Sequence, residues 1–82
     1  MKGLKVQLKD DNTNKVLESI ICTRLDAVSS MTVCSESKSN NSKVKGDLHF
    51  PYKIDHWNLI EGMITIYYTN GLIMEVTRIP NL

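Results

Sequence analysis

The sequence predicts an α+β, β-rich domain: one small antiparallel sheet of about five strands, with a single helix over about 15–29 packed on one face. Three observations carry this. Leu4, Val6 and Leu8 alternate with Lys5, Gln7 and Lys9, the signature of a half-buried strand. The apolar residues between Lys15 and Met31 gather on one half of a wheel drawn at about 100° per residue. Near the C-terminus, Asn70-Gly71 stands between two runs of β-forming residues, a strong short-range hairpin signal.

Along the chain, Asp10-Asp11-Asn12-Thr13-Asn14 closes the first strand with a cluster of turn and cap residues. In the next segment Val16, Leu17, Ile20, Ile21, Leu25, Ala27, Val28 and Met31 share the apolar half, while Cys22 and Arg24 sit on the wrong side. A strand would need strict alternation, which Val16-Leu17 and Ile20-Ile21-Cys22 break. Against the helix stand the β-branched residues, which pack better in strands. Length favours the helix, with Asn14 as its N-cap and Ser29-Ser30 as its end. The alternative is an all-β small barrel or sandwich in which 15–25 is a strand.

Two strands follow, around Met31 to Glu36 and Lys43 to Phe50, joined by an exposed polar loop at about 37–43. Gly46 inside the second marks a bulge or bend. Pro51 cannot donate to a ladder, so His49 to Asn58 is expected to include an irregular crossing. In the last hairpin register decides the turn. A three-residue loop, Thr69-Asn70-Gly71, pairs Tyr68 with Leu72, Ile66 with Met74 and Ile64 with Val76, all apolar on one face. Gly71 then takes the left-handed position of a G1 bulge. Tyr67 and Ile73 fall on the opposite face, where they are available to a partner.

The chain has 82 residues, enough for a single domain over 1–82 with a small core. Its formal charge of +1 argues against a polycation and against an acidic mimic of DNA. Lys2, Lys5 and Lys9 interrupt any leader-like apolar run, and no run approaches the roughly 18 residues of a membrane span, so an intracellular, cytoplasmic protein is expected. Cys22 and Cys34 do not make a disulfide framework and are expected to be buried free thiols.

Catalytic constellations are scarce. A thiol–imidazole pair of Cys22 or Cys34 with His49 or His56 lacks any signature around it. Asp55-His56 reads as a surface pair, and Asp10-Asp11-Asn12 lacks the glycine and the bidentate glutamate of a calcium loop. The two histidines match no zinc spacing and the four glycines are isolated, so no enzyme, metal or cofactor is expected.

Residues 43–57, KVKGDLHFPYKIDHW, differ from the rest, interleaving Phe50, Tyr52 and Trp57 with both histidines and three lysines. Such a mixture suits a protein interface, with Tyr52, His56 and Trp57, together with Tyr67 and Ile73, as anchors. It also suits a groove for RNA or single-stranded nucleic acid, with Lys38, Lys43, Lys45 and Lys53 tracking phosphate. Phe50 and Trp57 could instead complete the core, and Arg24 either snorkels to the rim or makes a specific contact. The expected function is a small non-enzymatic module that binds a larger protein through a sheet edge or an aromatic patch. Its concrete form is a phage or mobile-element accessory protein that inhibits or modulates a host or defence enzyme by surface occlusion. A homodimer through the sheet edge is compatible with this.

Overall fold

The computed structural model describes residues 3–39 and 44–79. They form eight strands: Gly3–Asp10 (β1), Val16–Cys22 (β2), Arg24–Val28 (β3), Met31–Ser39 (β4), Val44–Phe50 (β5), Ile54–Ile60 (β6), Met63–Tyr68 (β7) and Leu72–Ile79 (β8). All are antiparallel, in one sheet that curls nearly into a barrel. Among the described residues no helix is long and apolar enough to cross a membrane.

The helix expected over 15–29 is not there, and its residues are β2 and β3. The β2–β4 pairs Ile20↔Ser39 and Ile21↔Lys38 lie in the same register as the β3–β4 pairs Arg24↔Ser35 through Val28↔Met31. β2 and β3 are therefore one long strand bent at Cys22–Thr23, and Ser29-Ser30 is the two-residue tip of its hairpin with β4. Inward residues are Ile20 and Cys22 before the bend, Leu25 and Ala27 after it. That jump of three shifts the period of two out of phase and imitates a helical spacing. Val16, Leu17, Ile21 and Val28 complete the imitation, being apolar yet exposed.

The bend is a corner shared by three strands. β4 breaks register between Cys34 and Lys38, with Glu36 at φ 50°. In β5, Gly46 turns with φ 73°, the bend its position in the sequence implies. Ser37 Oγ donates to Gly46 O at 2.6 Å, Glu36 N to Asp47 Oδ1 at 2.8 Å and Thr23 N to Ser35 O at 3.1 Å. On the inner side of this corner Cys22 and Cys34 are joined by a disulfide, with Cα atoms 5.4 Å apart and no exposed surface. The free thiols expected from the sequence are corrected here. Two cysteines on inward positions either side of one sharp corner come within bonding distance, which their spacing along the chain does not disclose.

Beyond the corner, the β3–β4 hairpin with β5 makes an arm that crosses the face of the β2-β1-β8-β7-β6 sheet. The core lies between them: Val6, Leu8, Ile20, Ile66, Met74 and Val76 below, Cys34 and Phe50 above. Thr32 in the arm and Tyr68 in the sheet join their hydroxyls at 2.8 Å across it. Burial pushes the Tyr68 phenol above its ordinary pKa of 10.0, partly countered by the Thr32 hydrogen bond, with Tyr52 adding a smaller upward push.

The β7–β8 hairpin has the expected register, Ile64↔Val76 and Ile66↔Met74, with Gly71 at φ 88° donating to Tyr68 O. A two-residue turn with both central φ values positive occurs instead at Glu61-Gly62, between Ile60 and Met63. It joins β7 to β6, a strand not read from the sequence, which takes up Ile54 onward in the segment His49 to Asn58 where an irregular crossing was expected. Only Pro51 to Lys53 lies outside strands there. An extra residue, Asp55, bulges between the pairs Ile54↔Tyr68 and His56↔Tyr67, and this breaks the alternation by which β6 would have been read.

Candidate functional site

At the tip of the arm the barrel stays open. Ile54 N donates to Ser29 O at 2.9 Å, tying the hairpin tip to the start of β6. From that tie an apolar cleft of about 480 Å³ extends between β3 and the β6–β7 hairpin. Leu25, Ala27 and the tip residues Val28 and Ser29 form one wall. Ile54, Trp57, Ile64 and Ile66 form the other.

Register explains how β6 supplies its side of the cleft. Residues opposite each other in an antiparallel pair share a face. Trp57 stands opposite Ile66 and Leu59 opposite Ile64, so both point to the core side of the sheet. β6 is the sheet's last strand, and the arm diverges above it, so these side chains reach the rim of the core without being enclosed. Trp57 is 62 % exposed and Leu59 59 %. On the other face of the same strand Ile60 is 61 % exposed. A free edge carrying three large exposed apolar side chains is what most sheets avoid.

The opposite face carries a cross-strand row, Lys9↔Ile73↔Tyr67↔His56. His56 stacks on Tyr67 with ring centroids 4.3 Å apart and planes 11° apart, and its Nδ1 lies 2.7 Å from Asp55 Oδ2. Ile73, flanked by Lys9 and Tyr67, is only 7 % exposed. It sits on the face assigned from the sequence but is closed to a partner, and Tyr67 is half covered. Tyr52 is half-buried too, packing on Phe50 and Tyr68 at centroid distances of 6.2 and 5.4 Å. Of the five residues expected as anchors, His56 and Trp57 are exposed, on opposite faces of β6.

No family model, curated protein or solved structure matches this chain.

Lys38 and Lys53 are exposed on separate elements. Lys43 and the side chain of Lys45 lie outside the described residues, as does 40–43 of the expected polar loop. Arg24 pairs with Asp26 at 3.1 Å on the surface. Cys22 and Cys34 are bonded to each other, so neither is available as a thiolate to His49 or His56. The residues missed from the sequence are Leu25, Ala27, Val28 and Leu59. Their signal was present as apolar side chains on both faces of β-branched segments, a pattern a simple buried strand does not need.

Proposed function

We propose that the protein is a non-enzymatic binding module that takes an apolar segment of a larger protein into the cleft between β3 and β6. The observation that carries this is Trp57, exposed at the lip of a largely apolar cleft and adjoining an open strand edge. Tryptophan is enriched among the few residues that dominate binding energy, because it buries a large rigid surface at small entropic cost. Among the described residues β6 pairs only with β7, and beyond Ile54, whose N–H is taken by Ser29, its outer edge offers main-chain hydrogen bonds to an extended segment, giving affinity while the cleft gives side-chain selectivity. Such a module acts by covering a surface of its target, as an inhibitor or modulator of the accessory-protein kind.

The test is capture from lysate by wild-type protein and by Trp57→Ala, each with and without nuclease. A protein held by wild type, resistant to nuclease and weakened at least about tenfold by the substitution supports this function. Capture that disappears with nuclease, or falls steeply with salt, favours nucleic acid instead. Equal capture by both proteins removes the cleft from consideration. Sedimentation of the isolated chain shows whether a second copy takes the β6 edge.

A further inference from the structure

Between its ends the arm rests on the sheet through the shared core and the Thr32–Tyr68 hydrogen bond, and its two ends are held by different chemistry. At the corner a covalent bond spans the inner side of the bend, from Cys22 in the sheet to Cys34 in the arm. At the tip the backbone tie is the hydrogen bond from Ile54 N to Ser29 O. Six residues, Thr23 to Val28, lie between Cys22 and Ser29, a span of about 23 Å of extended chain at roughly 3.3 Å per residue, so a turn of about 10° at the corner moves the tip by about 4 Å. Because β3 forms one wall of the Trp57 cleft, such a movement changes the width of the cleft directly.

We propose that Cys22–Cys34 is a redox brace that sets the width of this cleft: oxidised, it holds the arm down on β6, and reduced, it lets the arm pivot about the corner and release its tip. The corner is where the strands already turn, with Glu36 and Gly46 at positive φ and the β4–β5 register broken between Cys34 and Lys38. A dithiol is the reductant. One of its thiolates attacks a cysteine sulfur and displaces the other as a thiolate, which takes up a proton. The second thiol resolves the mixed disulfide, so the dithiol leaves as a disulfide and Cys22 and Cys34 end as thiols. Neither cysteine exposes any surface, so attack waits on local opening of the arm. An occupant that favours the wide cleft therefore promotes reduction, and reduction promotes its binding by the same factor. The regulatory meaning rests on the cleft being the docking site proposed above, but the movement does not.

Amide hydrogen exchange on the isolated protein, oxidised and then kept reduced with dithiothreitol under argon, tests the brace without any partner. Reduction is expected to cut protection of the Ile54 amide at least about tenfold while amides of the β1–β8 ladder keep theirs within about twofold. The double variant Cys22→Ser/Cys34→Ser should match the reduced protein. Unchanged protection at Ile54 overturns the proposal, because the brace then does not control the tip. Equal loss across β1–β8 overturns it too, since the bond would then only stabilise the whole fold. If the variant does not fold, the reduced wild-type chain, which starts from the folded oxidised protein, decides. A failure of Trp57→Ala to affect capture leaves these readings untouched, so the two ideas fail separately.

Discussion

At its corner end the β3–β4 arm is tied by a disulfide and by hydrogen bonds from Thr23, Glu36 and Ser37, whereas its tip meets β6 through one backbone hydrogen bond beside an apolar cleft. The corner spends its polar groups on itself: among the described residues every buried side-chain nitrogen and oxygen has a partner. The tip leaves apolar surface in water, with Trp57 and Val28 both largely exposed. Substitutions at the corner should therefore register in stability, and substitutions at the tip in binding.

Loss of the brace gives the largest expected effect. Closing the 12-residue separation between Cys22 and Cys34 contributes about 3 kcal/mol on the chain-entropy account. Urea unfolding with and without a dithiol should show that loss as a lower midpoint. An unchanged midpoint would mean that the corner's hydrogen bonds suffice alone.

Next comes the tie across the core. Tyr68→Phe removes one hydroxyl and leaves that of Thr32 buried without its partner, costing about 1–2 kcal/mol by the same measurement. The Tyr68 phenol also predicts an alkaline limit. Its pKa is raised in the folded protein, so the unfolded chain loses that proton first. The phenol's contribution is complete below about pH 10 and disappears as pH rises through the raised native value. Tyr68→Phe should remove this part of the alkaline loss, which a pH series of unfolding midpoints measures.

Smaller still is Gly46→Ala. Nothing lies within 4 Å of where its Cβ would sit, so the cost is confined to holding a side chain at φ 73°. That amounts to about 1 kcal/mol, read from the thermal midpoint. Trp57→Ala comes last, shifting the unfolding midpoint by no more than about 0.5 kcal/mol because the ring is mostly in water. A loss well above that would make Trp57 part of the core and blur the distinction between the two ends.

How much of this was legible in the sequence varied with how local the determining contacts are. The register of β7–β8 and the role of Gly71 could be read because apolar pairing on one face admits only one of two turns. Alternation in β1 and the bend at Gly46 were legible for the same reason, each resting on a few neighbouring residues. The β2–β3 strand was not, because its bend shifts the phase of alternation and its outer face carries Leu17 and Ile21. Its β-branched residues pointed the right way, and its apparent helical period outweighed them. The disulfide and the cleft were hidden for another reason. Both depend on the arm folding over the sheet, a long-range event to which spacing along the chain is blind. At the site itself the sequence left Trp57 open between core and interface, and Tyr52 and Ile73 were read as contact residues without the neighbours that cover them, while His56 is exposed as read.

The bulge at Asp55 has one more effect. An exposed apolar edge can template the stacking of identical chains into fibrils, which takes a flat, uninterrupted segment of about six or seven residues. By inserting an unpaired, charged residue near the start of β6, Asp55 leaves a regular run of only His56 to Ile60. The edge is thus long enough to hold one visiting strand and too short to seed a growing zipper.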